Sequence, residues 1–313
     1  MNGIELARGF YEEYGAPMIR EQFPELEPII AVGLAGGGSE CFGYDDEISR
    51  DHDFEPGFCL FLPEEDLVDR QVCFRLERAY AKLPKEYLGF QRQSIGPVGG
   101  NRHGVIRMGD FYEARTGSRD GRLTTSQWLS LPSYSLAEAT NGEIFRDDLG
   151  LFSAVRASLR NMPEDIRRKK LAGNLLLMAQ AGQYNYNRCL AHGETGAAQL
   201  AAIDFCKAAM QTVFLLNRVH MPYYKWSFRA MRELPKFPNL AETLEFLLTT
   251  ENTGDLPETK YLVIEDVAAM IIGELMEQKL TKAVCGDLEK HAYSVNDAIA
   301  DPDLRNRNIF AAV

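Results

Sequence analysis

The sequence has no close cysteine pairs, no long apolar run and no surplus of basic residues, and each absence removes a class of protein. Its six cysteines form no C-x-x-C pair and its five histidines are scattered. This spacing argues against a disulfide framework and against a zinc site, so we expect reduced, structural thiols. No stretch of about 18 apolar residues is present, which argues against a membrane span.

Two further absences concern export and nucleic acid. The N-terminus shows neither the basic region nor the apolar core of a signal peptide, so we expect a cytoplasmic protein. The net charge is −11, and a phosphate backbone is bound by concentrated Lys and Arg, so no bulk nucleic acid is expected as a partner. A single nucleotide is not excluded, because a metal and a few cations can neutralise its charge locally.

Two well-known phosphate-binding motifs are also incomplete. A P-loop requires a lysine where Ser39 stands, although Gly33 and Gly38 have the right spacing. The dinucleotide fingerprint G-x-G-x-x-G fails because Cys41 occupies the last glycine position after Gly36 and Gly38. Hydride transfer with a dinucleotide therefore loses its main support.

What the sequence does contain is a glycine-rich turn at residues 36–39. It follows an apolar run at residues 28–34, which predicts a buried strand. Glycines allow backbone N–H groups to approach phosphate oxygens closely. We therefore take Gly37, Gly38 and Ser39 as candidate phosphate-binding residues.

A D-x-D pair, Asp51 and Asp53, follows the turn. On an extended segment the two carboxylates share one face, and Mg²⁺ usually binds one or two carboxylates together with substrate phosphates. The turn and the pair together indicate a triphosphate site beside a metal site. The alternative is a tight turn without a ligand and a solvated acidic edge that includes Glu55.

The G-S-x11-D-x-D arrangement resembles the nucleotidyltransferase superfamily, which has the polymerase-β-like fold and includes the aminoglycoside nucleotidyltransferases. Residues 43–54 (GYDDEISRDHDF) are similar to one bacterial nucleotidyltransferase-like family of unknown function, with its typical D-D-E-x-S-R-D-H-D-[WF] block. Residues 136–147 and 215–226 resemble the same family. The resemblance runs from about residue 28 to residue 235.

The resemblance implies roles for individual residues. Gly38 and Ser39 match the phosphate-binding turn, and Asp51 and Asp53 match the metal-binding carboxylates. Active members usually carry a third carboxylate on a neighbouring strand, but the strand expected at residues 103–108 contains no acid and has Arg107 near that place. Either Asp110 or Glu113 takes this role, or the third carboxylate is absent.

Lys225 stands at the start of a predicted helix, just after Pro222. Related two-domain nucleotidyltransferases use similar lysines to reach the triphosphate, whereas the alternative here is simple aromatic packing of residues 223–226. Asn217 and Arg218 are expected to support Lys225. Weaker candidates for the acceptor site share one region of another predicted helix: Tyr184, Asn187 and Arg188.

These patterns predict an α+β protein of 313 residues. Residues 1–130 are expected to form a nucleotidyltransferase-like mixed sheet with flanking helices, and residues 131–313 a helical domain. The predicted activity is Mg²⁺-dependent transfer of a nucleoside monophosphate from a nucleoside triphosphate, with ATP as first choice, to a small-molecule acceptor. Two alternatives are a nucleotide sensor with impaired catalysis and a module that acts on a protein partner.

Overall fold

The computed structural model describes residues 1–48, 54–92 and 103–313. They form two compact units, each built from two stretches of chain. The first unit comprises Met1–Leu123 and Ser135–Asn161, and the second comprises Thr124–Tyr134 and Met162–Val313. The sequence predicts a single boundary near residue 130. In the structure the chain passes from one unit to the other three times, after Leu123, Tyr134 and Asn161.

The first unit contains a four-stranded mixed sheet and a separate two-stranded ribbon. In chain order the strands are β1 (Ala31–Leu34), β2 (Cys59–Leu62), β3 (Glu86–Tyr87), β4 (Phe90–Gln91), β5 (Gly104–Arg107) and β6 (Glu143–Asp147). The sheet has the order β5-β2-β1-β6, and β3 and β4 form the ribbon. Strand β1 is antiparallel to both of its neighbours, and β2 is parallel to β5. A Cβ at Gly33 would collide with the carbonyl of Glu143, so the glycine permits the close pairing of β1 with β6.

Helices flank this sheet, and short π-helical segments interrupt some of them. Those that lie wholly or mainly in the first unit are α1 (Gly3–Phe10), α2 (Ala16–Gln22), α3 (Arg70–Ala81), α4 (Met108–Thr116), α6 (Ser133–Thr140) and α7 (Leu151–Arg160). The short α5 (Thr125–Ser130) precedes α6 and belongs to the second unit. A π-helical segment, Tyr11–Gly15, joins α1 to α2.

Side chains of β2 alternate between two apolar layers. Leu60 and Leu62 are buried in the layer that also contains Phe10 and Tyr80 from the helices. Phe61 points the other way, and its ring centroid lies 4.3 Å from that of Phe152 on α7. The continuous apolar run therefore forms a strand that is covered on both faces.

The second unit is helical in its described residues. After α5 it comprises α8 (Glu164–Met178), a π-helical segment (Ala179–Tyr186), α9 (Asn187–Ala191), α10 (Thr195–Leu216), α11 (Tyr224–Arg232), α12 (Leu240–Thr249), α13 (Leu256–Glu277), α14 (Leu288–Asp297) and α15 (Pro302–Asn306). Helix α10 is long and apolar enough to cross a membrane, but 61% of its most apolar window is buried within the protein. That burial is typical of the core helix of a globular unit. The predicted α+β class, with a mixed sheet, flanking helices and a helical C-terminal region, is confirmed.

Candidate functional site

The glycine-rich turn lies where the sequence predicts it, directly after β1. Gly36 and Gly38 have φ angles of 119° and 117°, a region that residues with a Cβ adopt only with strain. A short 3₁₀ helix, Glu40–Phe42, follows the turn. The Ser39 carbonyl accepts hydrogen bonds from the amides of Phe42 and Tyr44. Glycine is therefore required here by backbone geometry, whatever the turn binds.

The polar groups at the end of the turn are open to a ligand. Gly37, Gly38 and Ser39 are half-buried. Among the residues that the structure describes, no acceptor binds the amides of Gly38 and Ser39. Ser39 occupies the N-cap position of the 3₁₀ helix, yet its hydroxyl makes no capping bond. Two N–H donors and one hydroxyl on adjacent residues are thus without a partner in the described part of the chain, and such groups can bind a phosphate oxygen.

The turn is held from a distant part of the chain by Asn141. Its Oδ1 accepts a hydrogen bond from the Gly36 amide at 2.8 Å, and its Nδ2 donates to the Gly36 carbonyl at 2.7 Å. The two residues are 105 positions apart in sequence. Both backbone groups of Gly36 are therefore paired by one side chain.

Asn141 is in turn positioned by two arginines on α7. The Arg156 guanidinium donates to the carbonyls of Thr140, Asn141 and Gly142, and Arg160 donates to Thr140 at 2.6 Å. Burial, followed by the charge of Arg160, lowers the pKa of Arg156 to about 10, so it remains a cation at neutral pH. Cations at the C-terminal end of α6 also interact favourably with the helix dipole.

Two charged side chains lie beside the turn. The Arg115 guanidinium is 2.5 Å from the place where a Cβ on Gly36 would stand, and the Glu138 carboxylate is 3.7 Å from that of Gly37. Burial lowers the pKa of Arg115, and the Glu138 charge opposes this shift. Arg115 Nε is buried and has no hydrogen-bond partner in the part of the chain that the structure describes. No motif in the sequence indicates a role for Arg115, Glu138 or Asn141, although the last two lie within residues 136–147.

The predicted metal ligands Asp51 and Asp53 lie outside the described residues. Within the described ranges, no group of three or more His, Cys, Asp or Glu side chains could hold a metal ion. Nearby, Glu55 is only 21% exposed, and its carboxylate lies 3.1 Å from His103 Nδ1 at the start of β5. The alternative interpretation of the sequence includes Glu55 in a solvated acidic edge, whereas in the structure its carboxylate is mostly buried beside His103.

The expected strand at residues 103–108 is present as β5, and it contains no acid. Arg107 ends the strand, where it donates to the Pro63 carbonyl at 2.7 Å, and its Nη2 is buried without a partner in residues 1–48, 54–92 and 103–313. Asp110 and Glu113 follow on α4 rather than on the strand. Neither carboxylate therefore projects from the strand itself.

Asp110 and Glu113 share the cation Arg119. Arg119 donates to Asp110 at 2.6 Å and to Glu113 at 2.9 Å, and its other terminal nitrogen donates to Glu64 at 2.8 Å. All four side chains are at least 42% exposed. Asp110 is therefore an exposed carboxylate that shares one cation with Glu64 and Glu113.

Lys225 lies in the first turn of α11 in the second unit. Its side chain is exposed, and its Nζ lies 5.0 Å from the centroid of the Trp226 ring. Asn217, predicted to support it, instead joins two chain segments by hydrogen bonds to Val213 and to both backbone groups of Lys236. Lys225 is therefore available to an anion, and Asn217 has a structural role.

A polar groove of about 660 Å³ lies elsewhere in the second unit, beside the π-helical segment Ala179–Tyr186. Tyr184 lines it, and the hydroxyl of Tyr184 accepts a hydrogen bond from Arg188 at 3.0 Å. Gln183 donates to Glu265 and to the Gly286 carbonyl across the groove. Of the three candidates for the acceptor site, the structure thus brings Tyr184 and Arg188 together.

Comparison with known proteins yields a match to a family model. Residues 128–227 match the model of a domain of unknown function (DUF4037). The match contains Glu138, Asn141 and Lys225 but not the turn at residues 36–39. No curated protein and no solved structure matches the chain.

Proposed function

We propose that this chain binds an Mg²⁺–nucleoside triphosphate, with ATP as first choice, at the turn of residues 36–39 and transfers its nucleoside monophosphate to a small-molecule acceptor. One observation carries the proposal. The amides of Gly38 and Ser39 and the Ser39 hydroxyl have no partner among the described residues, at a glycine turn that Asn141 holds in place. Glycines at such a turn allow the backbone to approach a ligand closely.

Different residues of the chain would have different roles in this reaction. Asp51 and Asp53 would hold the metal, which neutralises the phosphate charge and the leaving group. The Gly38 and Ser39 amides would bind non-bridging phosphate oxygens, and Arg115 would add positive charge beside the turn. An acceptor oxygen or nitrogen attacks the α-phosphorus, the bond from that phosphorus to the bridging oxygen breaks, and pyrophosphate leaves.

Transfer requires a base that removes the proton from the acceptor. The pairing of the candidate base Asp110 supports a second candidate function. Asp110, the predicted third carboxylate, is paired with Arg119. If no carboxylate accepts the proton, the protein binds the nucleotide without turning it over and acts as a nucleotide sensor. Release of pyrophosphate distinguishes the two functions.

The cytoplasmic location stays a prediction.

The test is the metal dependence of nucleotide binding. In wild-type protein, Mg²⁺ should increase the affinity for ATP measured by calorimetry, and in the double variant Asp51→Asn/Asp53→Asn it should not. The exposed Asp66 provides the control variant Asp66→Asn, which should behave as wild type. Equal ATP affinity with and without Mg²⁺ in all three proteins would refute the metal site.

A coupled assay for pyrophosphate then decides between enzyme and sensor. Pyrophosphate release that requires both Mg²⁺ and a small hydroxyl- or amine-bearing acceptor would establish transfer. Binding without release, across a panel of such acceptors, would favour the sensor.

A further inference from the structure

The polar groove beside the π-helical segment Ala179–Tyr186 is formed by residues of the second unit alone. Its walls come from three stretches of chain, namely the π-helical segment, the first half of α13 and residues 286–289 around the start of α14. Its volume of about 660 Å³ lies within the range of roughly 300–1,000 Å³ that is typical of small-molecule sites.

The π-helical wall is anchored to the core of the unit. A Cβ on Gly182 would collide with the Phe205 ring on α10 and would lie 2.8 Å from Ile264 on α13. Only glycine therefore permits this close packing, directly before Gln183 and Tyr184, which line the groove. Segments of π-helix are rare and occur frequently at functional sites.

Gln183 connects the three walls of the groove. Its amide nitrogen donates to the Glu265 carboxylate on α13 and to the Gly286 carbonyl, both at 2.9 Å. Its amide oxygen accepts a hydrogen bond from the Leu288 amide at 3.0 Å. Because one side chain fixes the walls to one another, the groove is preformed, and a preformed site loses less conformational entropy on binding.

The charged residues that line the groove are all acidic: Glu265, Asp287 and Glu289. Asp287 lies 3.9 Å from Lys290 in an exposed pair, and such pairs contribute little. Glu265 and Glu289 form no ion pair with any residue that the structure describes. The groove therefore offers two carboxylates whose charge is not neutralised by a nearby cation.

Two tyrosines add aromatic rings to this acidic lining. Tyr184 is 60% exposed, and the guanidinium carbon of Arg188 lies 5.6 Å from its ring centroid, so the ring already contacts one cation. Burial, followed by a hydrogen bond to Glu265, raises the pKa of Tyr261. Tyr261 thus remains protonated and donates to Glu265, which orients the carboxylate without neutralising it. Aromatic faces and carboxylates both bind ammonium groups.

We propose that the polar groove binds a linear polyamine, with its ammonium groups paired to Glu265 and Glu289 and its chain lying against Tyr184. Spaced ammonium groups match carboxylates that come from different walls of a groove. The methylene groups between them match the aromatic ring. The inference does not depend on the proposed function, because it involves the second unit alone and no nucleotide takes part.

The probe is spermidine, and the comparison ligand is 1,8-octanediol, a chain of similar length with hydroxyls in place of ammonium groups. Binding is measured by calorimetry at physiological ionic strength. Under this condition salt screens the general attraction between a polycation and a protein with a net charge of −11. One spermidine should bind per chain, and octanediol should not bind. A wild-type protein that binds no spermidine would refute the site.

Variants of the lining separate the contribution of charge from that of the ring. Glu265→Gln keeps an acceptor oxygen for Gln183 and Tyr261 but removes the charge, and it should weaken spermidine binding by about 10-fold. Tyr184→Ala should weaken it by about 2- to 5-fold. Tyr184→Phe keeps the ring and should bind spermidine as the wild type does.

The matched control is Asp266→Asn. Asp266 is an exposed carboxylate next to Glu265 on α13, and it does not line the groove. Its substitution changes the net charge by the same amount as Glu265→Gln, yet it should leave spermidine affinity at the wild-type value. Equal losses in the two variants would show that only the overall charge attracts the polyamine, and the site would be refuted.

Two further measurements test the location and the class of the ligand. Spermidine should slow hydrogen exchange in peptides that cover residues 179–189 and 286–292, and slowing elsewhere alone would contradict the assignment. At matched ionic strength, Mg²⁺ should not displace spermidine. Stoichiometric displacement by Mg²⁺ would identify the groove as a metal site and overturn the polyamine assignment.

Discussion

Replacement of Asn141 by alanine should release the turn at residues 36–39. The substitution removes both hydrogen bonds to Gly36, whose backbone is buried. A buried donor left without an acceptor costs about 1–3 kcal/mol, and the second bond has a net value of about 1 kcal/mol. We therefore expect Asn141→Ala to lower the free energy of unfolding of the first unit by about 2–4 kcal/mol.

Two further variants separate the hydrogen bonds from general effects of substitution. Asn141→Asp keeps the acceptor for the Gly36 amide but places a carboxylate oxygen against the Gly36 carbonyl, so it should destabilise at least as much as alanine. Asn161 also hydrogen-bonds to a carbonyl, that of Ala157, but it is exposed. Asn161→Ala should therefore change stability by less than about 0.5 kcal/mol.

The assay must report on the first unit. Both tryptophans, Trp128 and Trp226, belong to the second unit, so tryptophan fluorescence does not follow the turn. Hydrogen exchange of peptides that cover β1 and residues 36–44 does, and exchange at Gly36 should become faster in Asn141→Ala. Affinity for ATP, measured on the same samples, should be lower in Asn141→Ala than in the wild type.

One result would contradict this reasoning. If the Gly36 amide exchanges at the wild-type rate in Asn141→Ala, the turn is maintained by its own backbone. The asparagine would then have no positioning role.

Three further outcomes follow from the geometry. Gly38→Val should weaken ATP binding more than Gly37→Ala, since Gly38 has a φ of 117° while a Cβ at Gly37 meets only ordinary contacts; equal affinities would show that backbone strain is unimportant. Burial lowers the pKa of Lys170 from 10.5 to about 8, so between these pH values the unfolded chain holds a proton that the folded one releases, and stability rises with pH. Lys170→Met should therefore stabilise by up to about 3 kcal/mol at pH 7, and this gain should vanish towards pH 10.5 in urea unfolding followed by tryptophan fluorescence; a pH-independent gain would contradict the shift. Asp110→Asn should change stability by less than about 1 kcal/mol, because its pair with Arg119 is exposed, and a loss of pyrophosphate release without a loss of ATP binding would identify Asp110 as the third carboxylate.

Local sequence determined the central strands and the turn. The apolar residues of β1 and β2 have no stable alternative to burial, so their runs predict strands without knowledge of the partners. The turn is predictable from the sequence because the glycines at positions 36 and 38 adopt φ angles that other residues avoid. The sequence indicates Ser39 as a phosphate-binding candidate, but a serine before a helix usually caps it, and only the structure shows that Ser39 makes no capping bond.

Only the tertiary structure decided which distant residues complete the site. Strand β6 (EIFRD) is short, charged and at an edge of the sheet, so its sequence carries too weak a signal to predict it. Its pairing with β1 brings Asn141 to Gly36, and no local pattern encodes a contact across 105 residues. The hydrogen bonds from Gln183 to Glu265 and Gly286 likewise arise when separate segments pack. Sequence determines such contacts only through the free energy of the whole fold, in which each local preference is one small contribution.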